Sequence, residues 1–279
     1  MPENKPPVSN KCPTAAKMPM LGLGTWKNSD PAACRASVAT ALETGYRHID
    51  TAQAYNNEAA VGDGIEQAAV DREEVFLATK IWIDNLSYND VLETADASLD
   101  RLGVDSVDLL YVHWPSRTYD AEDTLAAFNE LYDRGKIDRV GVSNFEPDQI
   151  AEAIALSDAP IFANQIEVHP LLQQEELREV CADHGIELVA YSPLARGAVF
   201  DVPEITAIAD DHGVSPAQIS LAWLRHHGIT AIPKATGGDH IRDNWASLSV
   251  SLSDAEIETI DNIETTDRRV DPGFGPWNN

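Results

Sequence analysis

From Leu21 onward, short apolar runs alternate with amphipathic segments at a spacing of roughly thirty residues, the pattern of βα units feeding a parallel sheet. The apolar runs predict strands over Met20–Gly24, Tyr46–Asp50, Val75–Lys80, Ser106–His113, Ile137–Val142, Ile161–Gln165, Glu187–Tyr191 and Thr230–Ile232. Eight such strands with helices between them fit a closed α/β barrel better than an open sheet. An open dinucleotide-binding sheet announces itself with a Gly-x-Gly-x-x-Gly turn after its first strand. Here Gly22-Leu23-Gly24 runs on into Thr25-Trp26-Lys27 instead. Within Tyr46–Asp50, the alternation of Tyr46, His48 and Asp50 puts all three on one face of the strand, with Asp50 pointing inward at its end.

Helix punctuation supports the same division. Ser215-Pro216-Ala217-Gln218 and Ser253-Asp254-Ala255-Glu256 read as capping boxes. Gly135, Gly185, Gly213 and Gly228 stand where helices should stop. His226-His227-Gly228 reads as a helix carboxyl end, where the dipole favours imidazolium. Those histidines have no carboxylate or third ligand at metal-binding spacing, so no metal site is expected. The chain is expected to form one domain over residues 1–279, with an irregular polar segment at 1–19. A second irregular segment, 266–279, carries Phe274 and Trp277 among glycines and prolines and is expected to fold back over the barrel top.

Charge adds a different kind of information. Asp and Glu total 46 against 20 Lys and Arg, a formal net charge of −26. Such a surface repels nucleic acid and anionic membrane, which sets both aside as partners. The acids are spread along the chain rather than gathered in a tail, so disorder does not account for them. The composition reads as adaptation to a salt-rich cytoplasm of the halophile kind, and self-repulsion favours a monomer. Cys12, Cys34 and Cys181 form no CxxC pair and suggest neither a disulfide framework nor a zinc site. No apolar span of signal or membrane type opens the chain, and a cytoplasmic location is expected.

The chemistry gathers where strands end. Asp50 closes one apolar run and Tyr55 follows it; Lys80 and His113 close two more. A carboxylate, a phenol, an amine and an imidazole would then meet at the carboxyl ends of a parallel sheet, where barrel active sites lie. Taken singly, each has an ordinary explanation: a buried ion pair for Asp50 and Lys80, a loop aromatic for Tyr55, a satisfied core histidine for His113. Together on one face they point to a site.

Read with Leu21 to Thr25-Trp26, Thr79-Lys80-Ile81-Trp82, His113-Trp114-Pro115, Gly141-Val142-Ser143-Asn144-Phe145, Gln165-Ile166-Glu167-Val168-His169-Pro170, Tyr191-Ser192-Pro193-Leu194 and Ile232-Pro233-Lys234, the chain resembles the aldo-keto reductases, nicotinamide-dependent carbonyl reductases on a (β/α)8 barrel. The resemblance runs from about Leu21 to Trp277 and is nearest to prokaryotic members of the diketogluconate reductase type. It implies that Asp50, Tyr55, Lys80 and His113 are the catalytic tetrad, with Tyr55 as general acid. A free phenol titrates near ~10, and a nearby ammonium is expected to lower that value.

The resemblance also assigns cofactor positions. Ser143, Asn144 and Gln165 would hydrogen-bond the nicotinamide carboxamide, and Tyr191 would carry the ring. Ser192 and Leu194 would lie near the pyrophosphate. Ser143-Asn144 also reads as a helix cap ahead of Glu146-Pro147-Asp148. Lys234, Ala235, Thr236, His240 and Asn244 would hold the adenosine phosphate at a helix amino terminus. NADPH-preferring members have serine after the lysine and arginine six residues beyond it; Ala235 and His240 stand there instead. Arg242 lies two residues further, about 200° around the helix, and is not expected to replace that arginine. NADPH with NADH also accepted, a dual specificity, is the expected cofactor usage. Trp26, Trp82, Trp114 and Trp277 would wall an apolar pocket for a small carbonyl substrate. Two other readings stand beside this one: a nicotinamide-binding regulatory subunit with little catalysis, and a barrel enzyme of aldolase type, which would use a strand-end lysine without Tyr55 or the carboxamide-binding set.

Overall fold

The computed structural model describes residues 12–278. A short antiparallel hairpin, β1 (Thr14–Ala15) and β2 (Met18–Pro19), precedes eight barrel strands. These are β3 (Leu23–Gly24), β4 (His48–Asp50), β5 (Phe76–Ile81), β6 (Leu109–Val112), β7 (Val140–Ser143), β8 (Ile161–Glu167), β9 (Glu187–Tyr191) and β10 (Thr230–Ala231). All eight are parallel and lie in sequence order from β3 to β10. The seam between first and last is closed by backbone bonds, Gly22 N–H to Ala231 O at 2.9 Å, Ala231 N–H to Met20 O at 2.9 Å and Gly24 N–H to Pro233 O at 3.1 Å. The fold is therefore a (β/α)8 barrel, as the alternation predicted, though most strands are shorter than their apolar runs.

The Gly-x-Gly at the first strand serves this seam. A Cβ on Gly22 would lie 2.8 Å from the His48 ring, and one on Gly24 would lie 2.6 Å from the Ile232 carbonyl oxygen. Neither leaves room for a side chain: Gly22 makes space for the His48 ring, and Gly24 for the backbone across the seam.

Ten helices among the described residues complete the layer outside: α1 (Pro31–Thr44), α2 (Glu58–Gln67), α3 (Tyr88–Leu102), α4 (Ala121–Asp133), α5 (Pro147–Leu156), α6 (Glu175–His184), α7 (Pro203–His212), α8 (Pro216–His226), α9 (Gly238–Ala246) and α10 (Asp254–Asp261). Helix α10 opens with the expected reciprocal box between Ser253 and Glu256. At α8 only half the box forms: Ser215 accepts Gln218 N–H, but the Gln218 side chain donates to Asp243 at 2.6 Å. Gly135, Gly185, Gly213 and Gly228 follow helices with φ between 64° and 74°, the left-handed conformation expected of helix stops. His227 is held by Asp261 at 2.9 Å, and burial, opposed by that hydrogen bond, lowers its pKa; the expected preference for imidazolium does not prevail there.

Two cores lie on either side of the sheet. Strand and helix side chains fill the outer one, while Met18, Phe76, Leu109, Tyr111, Val189 and Ile232 pack inside the barrel. Met18 brings the hairpin into that inner core, and Pro19 O meets His48 Nδ1 at 3.1 Å. The expected irregular segment 1–19 thus contains a hairpin over 14–19, and its first eleven residues lie outside the described ones. The hairpin turn is Ala16-Lys17, both at positive φ, a pair with no glycine or asparagine to signal it. Tyr46 also departs from expectation. It precedes β4, bonds Ile241 O at 3.0 Å and packs on Trp245, away from the inward face that His48 and Asp50 share. Among the described residues no helix is long and apolar enough to cross a membrane, and no three His, Cys, Asp or Glu side chains gather as a metal site.

Candidate active site

At the carboxyl end of β4, Asp50 is buried and receives Lys80 Nζ from β5 at 2.5 Å. Lys80 also donates to Thr51 O at 2.9 Å. The second Asp50 oxygen accepts Gln165 Nε2 from β8 at 2.8 Å. This carboxylate is thus held from two strands, and neither oxygen is left without a donor. Behind Lys80, Thr79 donates to the buried Glu58 at 2.6 Å, and Arg101 pairs with Glu58 at 2.6 Å. Strand β5 is therefore fixed from outside the barrel as well as from inside.

Tyr55 rides on a short helical turn, Gln53–Tyr55, that follows β4. Its ring centroid lies 5.2 Å from Lys80 Nζ and 5.8 Å from the His113 ring, which meets it edge-on. All four residues expected at the site do come together. Their electrostatics differ from expectation in one respect. Burial, with Asp50 adding to it, pushes the Tyr55 phenol well above its ordinary 10.0, so the expected lowering by Lys80 is not found. Burial also lowers the Lys80 ammonium from 10.5, against the opposing pull of Asp50. His113 is held well below 6.5 by burial and by the Lys80 charge, so its imidazole is neutral.

Over these groups opens a cavity of about 640 Å³. Tyr55, His113, Ser143, Asn144, Gln165, Tyr191 and Ser192 border it, and Trp26, Trp82 and Trp114 form walls. Ser143 Oγ donates to Gln165 O at 2.7 Å, Asn144 Nδ2 to His113 O at 3.1 Å, and Tyr191 OH to Asn144 Oδ1 at 2.7 Å. Ser143-Asn144 is consequently committed to the site, and α5 takes Glu146 as its cap residue instead. An aromatic face beside a hydroxyl and two primary amides is a donor set that suits a planar carboxamide-bearing ring.

Trp277 is a correction. It does not border the cavity but packs against Trp114 at 5.6 Å with the rings tilted by 57°, and Arg268 lies 3.9 Å above its ring. Phe274 takes the place expected of it, edge-on to Trp114 at 5.4 Å and to Trp82 at 6.3 Å. Arg196, Val270 and Pro272 complete that side. Gln53 also went unread in the sequence. It ties two loops together, accepting Trp82 N–H at 3.0 Å and Asn85 Nδ2 at 3.1 Å while donating to Thr94 O at 3.0 Å. Nothing in local spacing signals these residues, because their partners lie far along the chain, on other loops and on helix α3.

A second cavity, of about 540 Å³, lies at the start of α9. Lys234, Ala235, Thr236 and His240 border it as expected of a phosphate segment. Arg242 borders it too, with its guanidinium turned back over Gly238 and 3.5 Å from Asp239. The 200° offset sets its backbone on another side of the helix, but a long side chain at the first turns reaches back around it. Asn244 is buried on α9 and Leu194 is half-buried against the outer core, and neither borders either of these two cavities.

Comparison with known proteins identifies the family. Residues 20–265 match the model of the aldo/keto reductase family. The chain belongs to that family. It is 43% identical over 252 residues to an aldo-keto reductase of Mycolicibacterium smegmatis, covering 90% of this chain and 91% of the relative. It is 38% identical to a glyoxal reductase of Bacillus subtilis, with 94% of each covered. Among solved structures, a Bombyx mori aldo-keto reductase in complex with NADP superposes with a TM-score of 0.86 at 33% identity over 92% of each chain. The chain is thus an oxidoreductase of a family that uses nicotinamide cofactors on carbonyl substrates.

Proposed function

We propose that this reductase converts aldehydes and ketones, in particular small dicarbonyls and keto-sugars, to alcohols with NAD(P)H, using Tyr55 as the general acid. The observation that carries the reading is the placement of Tyr55 and neutral His113 on the floor of the aromatic cavity, with the Asp50–Lys80 pair beside the Tyr55 ring. A glyoxal reductase among the relatives supports the dicarbonyl class. The residues fit a nicotinamide: Ser143, Asn144 and Gln165 would hold its carboxamide and Tyr191 its ring face. When bound, it supplies the hydride that attacks the carbonyl carbon.

This chain's residues handle the charge that the attack creates. His113, neutral, donates a hydrogen bond to the carbonyl oxygen and orients it. Tyr55 gives its phenolic proton to that oxygen as the alkoxide forms, and Lys80 stabilises the phenolate left behind. Asp50 keeps Lys80 charged and in place, and Gln165 keeps Asp50 in place. The raised phenol pKa means that Tyr55 carries its proton throughout the neutral range. Mixing the protein with glyoxal and reduced nicotinamide, at low and at molar KCl, should show substrate-dependent loss of reduced-cofactor absorbance. No such loss with any aldehyde, ketone or dicarbonyl would leave a regulatory nicotinamide-binding protein as the better reading.

Both nicotinamides are expected to serve, with a modest preference for NADPH. Lys234 and Arg242 border the second cavity as cations, while His240 offers one donor in place of a charged fork.

A further inference from the structure

The motif around Gln165 contains two residues, Glu167 and His169, that the chemistry above leaves unused. Glu167 is the last residue of β8, two positions after Gln165 and so on the same strand face. Its side chain is 0% exposed, and no Lys or Arg pairs with it among the described residues. Burying a carboxylate without a cationic partner is costly unless hydrogen bonds replace water. Three do: His169 Nε2 lies 3.0 Å from Oε1, Arg269 N–H donates to Oε1 at 2.8 Å, and Val270 N–H donates to Oε2 at 2.8 Å. The last two come from the carboxyl-terminal segment, about a hundred residues downstream.

That segment is the wall of the cavity most in need of an anchor. Val270, Pro272 and Phe274 border the substrate space, yet the only regular structure between 266 and 278 is a short turn at Pro276–Asn278. One further backbone bond fastens its start, Asp267 N–H to Leu171 O at 2.7 Å. Val270 is both clamped and cavity-lining, so no slack separates the anchor from the wall. Strand β8 thus carries two successive inward groups with different charges. Gln165 holds the catalytic carboxylate, and Glu167 one step higher holds the wall above it.

We propose that Glu167, braced by His169, is the positioning residue that clamps the Arg269–Val270 backbone and thereby sets which carbonyl substrates the cavity accepts. The proposal rests on the reductase reading for its substrate half alone. In Glu167→Gln one oxygen becomes an amide donor and faces a backbone N–H, so one arm of the clamp is lost. Substrates that lean on Phe274 should feel this, and a two-carbon dicarbonyl should not.

The test uses the full-length chain with saturating NADPH and two probes, glyoxal and 4-nitrobenzaldehyde. In Glu167→Gln the KM for the aromatic aldehyde should rise by about tenfold or more, the loss expected of one charge-assisted hydrogen bond. The KM for glyoxal and both kcat values should stay within about threefold, and amides of 267–278 should exchange with deuterium faster while those of β5 do not. Arg269→Pro, which removes one donor without touching the barrel core, should reproduce the split if Glu167→Gln folds poorly. Glu167→Asp should recover part of it. Parent-like exchange in the tail of both variants, or equal KM increases for the two probes, would overturn the proposal. Failure of the parent to reduce either probe would count against the reductase reading, and the exchange data would still decide the clamp.

Discussion

Two lysines stand at or just beyond the carboxyl ends of two barrel strands, and they could hardly be placed more differently. Lys80 has no exposed surface; a carboxylate and a backbone carbonyl hold it at 2.5 and 2.9 Å, and burial shifts its pKa. Lys234 is exposed at the rim of an open cavity that it shares with Thr236, His240 and Arg242. The Asp50–Lys80 end is held together by its own partners, because charges buried in a low-dielectric interior must have them. The Lys234 end leaves its cations exposed, where water serves and no built-in partner is required. Burial, not position along a strand, decides which lysine must be paired.

Four measurements put that contrast at risk. The largest effect is expected from Tyr55→Phe, which removes the proton donor and should lower turnover by about 10²–10⁴-fold while leaving cofactor affinity unchanged. Turnover within a few-fold of the parent would end the assignment of Tyr55 as the acid.

Next comes Lys80→Met. It leaves the Asp50 charge buried with only Gln165 beside it, and should cost about 3–5 kcal/mol of stability along with most of the turnover. Denaturant unfolding read beside the kinetics checks both. A variant as stable as the parent would mean that the pair is not the rigid element described here.

At the open end, effects should be smaller and confined to binding. His240→Arg adds a charged fork and should tighten NADPH by roughly tenfold to a hundredfold, about 1.5–3 kcal/mol, with little change for NADH. Dissociation constants for both cofactors, in parent and variant, decide it. A parent that already prefers NADPH by several orders of magnitude would show that Arg242 does the work of the missing arginine.

Salt should separate the two ends most gently. With 46 acids against 20 bases, the unfolding midpoint should rise with KCl as self-repulsion is screened. NADPH affinity should meanwhile weaken, because the cations at the second cavity are exposed. An unfolding midpoint independent of KCl would mean that the acidic surface is merely tolerated.

What could be read from the chain follows how far apart the interacting groups stand. The eight apolar runs, the glycine stops after helices and the box at Ser253–Glu256 depend on neighbours within a few residues, and the sequence alone determined them. It also determined that Asp50, Tyr55, Lys80 and His113 would share one end of the barrel, because parallel strands all finish on the same side. It did not determine the hairpin through Ala16-Lys17, which turns at positive φ without glycine or asparagine and delivers Met18 into the barrel. Nor did it determine that Phe274 rather than Trp277 would border the aromatic cavity, that Arg242 would curl back over Gly238, or that the Tyr55 phenol would be raised by burial. The bonds from Gln165 to Asp50 and from Val270 to Glu167 span 115 and 103 residues. Contacts at that separation have no period or spacing to betray them. Only closure of the barrel, which brings β4, β8 and the carboxyl-terminal segment to one rim, decided which side chains meet.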